Sequence, residues 1–272
     1  MNKFNFSSVS RLVYFTIKTN RKQIIGWCIA IFSLMFMYMI LFPSVKDMAQ
    51  IKMDAMPKEM LQFVGMDNFS DMGNYISYFG IIFNLLLVAI SIFAASFNAN
   101  LILKEEQTKT IEFLNSLQVS RCEIYVSKFI SGFLAVLLVL CSSIFSAAIC
   151  GIINGGETFI LSDFIKIIKV SGFTPFFYVS IALMLAGLSA KIGASMIASI
   201  SVLVLYVFGF LSTMLESKIP WLSYFSPFES FSPNNALALT SNTAITLAVY
   251  FLLFTTFLIV GGVGYKRRDL NI

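Results

Sequence analysis

The sequence predicts an all-α integral membrane fold with six transmembrane helices, and three observations carry the prediction. Of 272 residues, 58% are apolar and 12% charged, against about 45–50% and about 25% in an ordinary soluble domain. Charge is missing altogether from 23–45, 72–103, 129–156, 170–190, 192–215 and 230–265, and each stretch supplies the roughly 20 apolar residues that a bilayer core demands of one helix. The apolar runs are continuous rather than alternating, which argues against a membrane β-barrel. The spans are placed near 24–43, 78–100, 124–153, 170–190, 194–215 and 243–265, in one transmembrane domain covering 1–272.

Ahead of the first span, Val9, Leu12, Val13, Phe15 and Ile17 are interleaved with Arg11, Lys18, Arg21 and Lys22. This predicts a basic amphipathic helix lying in the headgroup layer, with a frayed tail as the plainer alternative. The first apolar run is longer than the 7–15 or so residues of a signal core and lacks a small-residue cleavage site, so it reads as a retained span. Five basic residues, Lys3, Arg11, Lys18, Arg21 and Lys22, precede it, and no acidic residue occurs before Asp47. The N-terminus is therefore expected in the cytoplasm. Six spans return the C-terminus to the same side, where Lys266, Arg267 and Arg268 stand. Lys166 and Lys169 break the bias and are expected to snorkel from an outer interfacial helix.

The first outer loop carries Met48, Met53, Met56, Met60, Met66 and Met72. With no His or Cys beside them, packing of a short amphipathic helix from Pro57 to Gly65 is a better reading than soft-metal capture. Along the second span Ser77, Asn84, Ser91 and Asn98 recur every seven residues. Seven helical steps fall about 20° short of two turns, so the four form a narrow polar stripe. Such a stripe faces protein or a water-filled path; helix-packing hydrogen bonds explain it equally well.

Between the second and third spans lies a burst of charge. Ile111, Leu114 and Leu117, with Phe113 beside them, form one face of a short helix, and Glu105, Glu106, Lys109 and Glu112 fill the rest. Its mixed charge favours a protein partner over lipid, since lipid-seeking helices are usually basic. Ser120-Arg-Cys-Glu123 then reads as a capping box that starts the third span, with Ser120 as N-cap and Glu123 reaching back.

The fourth and fifth spans are separated only by a short turn around Lys191 and Gly193, which makes them a hairpin. Ala194, Ser195, Ala198 and Ser199 give the fifth span a small-residue surface suited to close helix contact. Pro220 to Ala238, with Trp221, Tyr224, Phe225, Phe228 and Phe231, is predicted to be an aromatic interfacial or re-entrant segment.

The chain has no histidine, which removes the commonest general base and metal ligand, and no Gly-x-x-x-x-Gly-Lys-Ser/Thr loop. Cys28, Cys122, Cys141 and Cys150 lack metal-ligand spacing and read as small apolar fillers. The chain is not expected to be an enzyme, to bind a metal or cofactor of its own, or to bind nucleic acid. A membrane transport subunit, a self-powered carrier or channel, and a non-transporting scaffold or sensor subunit all remain open. Against the self-powered carrier, no span holds an Asp, Glu, Lys or Arg near its middle.

Glu106-x-x-x-Thr110-Ile-Glu-Phe-Leu114, followed by Val119-Ser-Arg, an acidic residue, Ile and then Lys128, resembles the permease subunits of ABC exporters of the ABC-2 type. That family commonly shows Glu-x-Gly-Thr-Ile/Leu-Glu-x-Leu-Leu-x-x-Pro-Val-Ser-Arg. Thr110, Ile111, Glu112, Leu114, Val119, Ser120, Arg121 and Lys128 match, while Lys109 stands for the usual Gly and Gln118 for the usual Pro. Met56 to Gly65, Ser226-Pro-Phe228 and Tyr265-Lys-Arg-Arg-Asp-Leu270 resemble further stretches of the family in the right order. The resemblance implies a permease that pairs with a second permease chain, identical or related, and with two cytoplasmic ABC ATPase subunits that bind ATP and Mg. It makes 104–117 a coupling helix, with Glu105, Glu106, Thr110, Ile111, Glu112, Leu114, Leu117 and Arg121 docking on the ATPase, and the basic N-terminus a connecting helix. In the family the second and fifth spans line the path, which makes Ser77, Asn84, Ser91 and Asn98 the candidate lining. Phe-, Ile-, Asn- and Lys-rich usage suggests an AT-rich bacterium, hence a bacterial plasma membrane. Short outer loops and uncharged spans suggest an apolar or amphipathic export substrate.

Overall fold

The computed structural model describes residues 5–51, 73–107, 119–189, 193–215 and 220–268. Its helices are α1 (Phe6–Ile40), α2 (Phe42–Ile51), α3 (Tyr75–Gln107), α4 (Arg121–Asn154), α5 (Leu161–Ser171), α6 (Thr174–Leu188), α7 (Gly193–Met214), α8 (Pro227–Ser230), α9 (Pro233–Ala238) and α10 (Ser241–Arg267). Tight 3-10 turns occupy Gly156–Thr158 and Pro220–Phe225. Among the described residues all regular structure is helical, and six stretches are long and apolar enough to cross a membrane: Phe6–Met48, Tyr75–Lys104, Arg121–Asn154, Leu161–Leu188, Gly193–Met214 and Asn242–Arg267. The helix expected from Pro57 to Gly65 lies outside the described residues.

Two boundaries differ from the sequence expectation. The separate amphipathic helix before the first span is absent as such: α1 runs unbroken for 35 residues, or about 52 Å at about 1.5 Å per residue. Neither Gly nor Pro interrupts it before Gly26. Val9, Thr16, Ile24 and Ile31 are buried at intervals of seven or eight, so one seam runs the length of the helix. That seam lies against α4, α1's main neighbour. Lys128 Nζ donates to Thr16 Oγ1 at 3.4 Å and Ser146 Oγ to the Phe32 carbonyl at 3.2 Å, which makes α1 and α4 parallel. Phe15, expected on the apolar face, is exposed, because the seam turns it outward. At the far end α1 stops at Leu41, since Pro43 has no N–H for the Met39 carbonyl.

The expected span at 170–190 is interrupted near its start, where α5 ends at Ser171 and α6 begins at Thr174. Pro175, in the first turn of α6, cannot donate to the Ser171 carbonyl, so the chain bends at Gly172 and Phe173. The 15 residues of α6 reach only about 22 Å, short of a hydrocarbon core of about 30 Å. The Leu161–Leu188 stretch as a whole is long and apolar enough to cross a membrane and is the most enclosed of the six. Lys166 and Lys169 sit on α5, with Lys166 paired to Asp163 at 2.8 Å.

α3 is the central helix, packed against α6, α7, α4 and α1, and its Phe79, Phe83, Leu87, Ile90 and Phe93 are fully enclosed. The small-residue surface of α7 does become its buried face, through Ala194, Ala198 and Val202. α6 and α10 run parallel, with Phe177 stacked edge-on to Tyr250 at 5.0 Å. An added Cβ on Gly187 would strike the Gly261 carbonyl, so near this end the two backbones touch without side chains between them. The outward faces of α7 and α10, including Met196, Ile200, Ile245 and Ile259, are exposed and apolar, as membrane-facing surfaces are.

At the end away from α4's start an aromatic plug closes the bundle. Tyr75 lies 5.1 Å from Phe42 and 5.5 Å from Phe159, and its hydroxyl donates to the Ala147 carbonyl at 2.6 Å. Gly156, at φ 52°, makes the turn that brings Phe159 back over α4; a side chain there would be strained in the left-handed region.

Candidate functional site

The corner where the chain enters α4 is the most heavily tied part of one bundle end. Ser120 Oγ accepts from the Glu123 N–H at 3.3 Å, and Glu123 Oε2 accepts from the Ser120 N–H at 2.7 Å. This is the capping box expected from the sequence. Glu123, only 3% exposed, does more than cap, because its Oε1 accepts from the Asn5 N–H at 2.5 Å. One carboxylate thus holds the start of α4 and the start of α1.

Arg121 extends the corner to the end of α10. Its Nη1 donates to the carbonyls of Lys266 at 3.2 Å and Arg268 at 2.7 Å. Arg268 Nη1 in turn donates to the Ala186 carbonyl at 2.8 Å and lies 3.5 Å from that of Gly187, at the end of α6. Helix C-termini carry orphan carbonyls and partial negative charge, and these guanidinium groups satisfy both needs. The Arg268 guanidinium lies 5.7 Å from the Tyr265 ring centroid, within cation–π range. Tyr125 adds a further link, donating from its hydroxyl to the Leu258 carbonyl at 3.1 Å. Removal of Arg268 from water lowers its pKa.

Of the residues expected to dock a partner, Arg121 belongs to this corner. Glu105 and Glu106 fall on the last turn of α3, with side chains outside the described residues. Thr110, Ile111, Glu112, Leu114 and Leu117 lie outside the described residues. The contacts of Asn5, Tyr125 and Arg268 were not legible in residue pattern, since their partners are more than 80 positions away; the sequence marked Arg268 only as part of the basic C-terminus and of the Tyr265 to Leu270 ending.

The polar stripe on α3 divides in two. Ser91 and Asn98 are completely enclosed by this chain's own helices, while Ser77 and Asn84 are half-buried. Asn98 Nδ2 donates to the Ala94 carbonyl at 2.8 Å. Its amide fills the space that a side chain on Gly132 of α4 would need, so this end of the stripe sits in an α3–α4 contact. Among the described residues Asn84 Oδ1, Ser91 Oγ and Asn98 Oδ1 have no hydrogen-bond partner.

The Pro220–Ala238 segment docks by two of its five aromatic residues. Phe228 stacks on Tyr178 at 5.7 Å and Phe231 lies 5.0 Å from Tyr250, whereas Trp221, Tyr224 and Phe225 point outward, Trp221 being 59% exposed. Ser171 Oγ donates to the Phe231 carbonyl at 2.6 Å and Tyr250 hydroxyl to the Tyr224 carbonyl at 2.8 Å. Cys150 is buried and Cys28 half-buried, as fillers would be, but Cys122 and Cys141 are exposed. Among the described residues no group of His, Cys, Asp and Glu has the makings of a metal site.

No curated protein matches the chain significantly. The family model described as "Multidrug efflux system permease Rv1217c, C-terminal domain" matches residues 11–266, nearly the whole chain. With six apolar crossing helices and a match of that extent, the chain belongs to this family of multidrug efflux permeases, of the ABC-2 type, and is a multi-pass membrane transport subunit.

Proposed function

We propose that this permease is the membrane half of an ATP-driven exporter. It pairs with a second permease chain, identical or related, and is powered by two cytoplasmic ABC ATPases that bind ATP and Mg. The segment 104–117 is the coupling helix, and Glu112, Leu114 and their neighbours dock in the ATPase. Both termini face the cytoplasm of a bacterium. The observation that carries this reading is the corner at Ser120 to Glu123: the segment leads directly into the place where the ends of α1, α4, α6 and α10 are tied together. A push delivered there reaches four helices at once. Alternating access follows if the ATPases hold the corner differently in their open and closed states, since a partner bound equally in both shifts nothing.

The substrate is apolar or amphipathic, such as a drug, a peptide antibiotic or a lipid. Uncharged spans favour it, and the family's character as multidrug efflux permeases agrees. Ser77 and Asn84 are the members of the stripe best suited to line the path, because the chain's own helices leave them partly open.

Purification of the tagged permease from its native membrane tests the reading. An ABC ATPase is expected to accompany it, and Leu114→Asp to cut recovery of that ATPase about tenfold, equivalent to about 1.4 kcal/mol. A permease that brings down no ATPase would overturn the proposal. Unchanged recovery with Leu114→Asp and Glu112→Ala would remove the docking role from 104–117.

A further inference from the structure

We propose that Arg268 is a positioning residue that carries motion from the α4 corner to the start of α7. Arg121 joins the first turn of α4 to the carbonyls at the end of α10, and Arg268, at that same end, reaches back to the carbonyls of Ala186 and Gly187. The inference rests on the reading of the corner as the point where the ATPase pushes.

The acceptors decide why this arrangement transmits displacement. Every hydrogen bond in the relay ends on a main-chain carbonyl at a helix terminus, so the relay moves helices and not flexible side chains. Both contacts to the end of α6 come from one guanidinium nitrogen, Nη1, and bonds from a charged donor are about twice as strong as neutral ones. The Tyr265 ring flanks the guanidinium from one side. The bare backbone contact between Gly187 and Gly261 blocks α6 from sliding into α10, so the ends of α6 and α10 move together. From Gly187 only Leu188, Ser189 and residues 190–192 remain before α7 begins at Gly193. α7 is one of the two largest neighbours of the central helix α3. A static C-cap would need only one of these links; here two guanidinium groups join three helix ends in series.

The test uses the complete permease–ATPase complex in inside-out vesicles. Cys28, Cys122, Cys141 and Cys150 are replaced by Ala, and Gly193→Cys provides one thiol at the start of α7, where an added side chain meets nothing within 4 Å. Labelling by a membrane-impermeant maleimide is timed without nucleotide and with ATP plus vanadate. In this background the rate is expected to differ between the two states by about tenfold, as when a two-state equilibrium crosses from one side to the other. Arg268→Ala is expected to reduce the difference to under about twofold while ATPase recovery and basal hydrolysis stay unchanged. Arg268→Met, which keeps the apolar stem but has no donor, is expected to behave alike, and it decides the matter if the alanine variant does not assemble. A full nucleotide response in the Arg268 variants overturns the relay, as does no response in the background. If no ATPase accompanies the background chain, the proposed function fails first, which separates the two failures.

Discussion

The Asn5 backbone N–H donates to Glu123 Oε1, so the carboxylate that caps α4 also anchors the start of α1. Glu123→Ala leaves the Ser120 and Asn5 N–H groups without their acceptor, at about 1 kcal/mol each, while the Ser120 side chain still caps the first turn of α4. The variant is expected to unfold at a clearly lower temperature in detergent. Glu123→Gln, which keeps a carbonyl acceptor, is expected to fall between it and the native chain. Equal melting temperatures for all three would show that the tether contributes nothing.

The contact between Gly187 and Gly261 predicts opposite outcomes for one kind of substitution. Gly187→Ala forces a methyl group against a main-chain carbonyl, and overpacking of this sort costs about 1–3 kcal/mol. Gly26→Ala on α1 meets nothing within 4 Å and is expected to be neutral or stabilising by up to about 1 kcal/mol. Folded yield on size exclusion after a heat step distinguishes the pair; similar yields for both would contradict the close α6–α10 approach.

Asn98 offers a test of the polar stripe. Among the described residues its buried Oδ1 has no hydrogen-bond partner, while its amide fills the hollow over Gly132. Replacement by Ala relieves an unsatisfied polar atom but leaves a gap, so the net change in stability is expected within about 1 kcal/mol. Asn98→Leu, bulkier at its branch, is expected to cost more than Ala because Gly132 leaves no further room. A leucine tolerated as well as alanine would mean that the helices part easily there.

The aromatic segment around Pro220 to Phe231 is tied to the bundle by two hydroxyl groups. Ser171→Ala and Tyr250→Phe each remove one bond to its backbone, worth about 1 kcal/mol. Hydrogen exchange across 220–231 is expected to speed up about fivefold in either variant, and more in the double variant, without change in α3. Exchange that rises equally everywhere would point to global loosening instead.

The six crossings were legible because the bilayer requirement is one-dimensional: about 20 apolar residues in a row reveal themselves without any knowledge of neighbours. The capping box at Ser120 and Glu123 was legible for the same reason, since its partners lie three residues apart. The join between the N-terminal segment and the first span was not. Amphipathic charge placed Ser7 to Gln23 in the headgroup layer, yet a chain without a breaker continues as helix once α4 offers a seam for Val9, Thr16 and Ile24. Pro175 was visible in the sequence, but only the docking of α5 through Phe164, Ile167 and Val170 turned that proline into a bend between two helices.

The sequence by itself determined the all-helical membrane class, the number of crossings, the absence of a nucleotide loop and the local cap, because each depends on composition or on residues a few positions apart. The tertiary structure alone decided that Arg121 and Arg268 meet the carbonyls of other helices, that Gly187 and Gly261 touch, and that Asn98 fills the hollow over Gly132. Those pairings join residues far apart in the chain. In a membrane, close packing and satisfaction of orphan carbonyls select them, and the apolar pattern, nearly uniform around α3, α6 and α10, does not distinguish one facing surface from another.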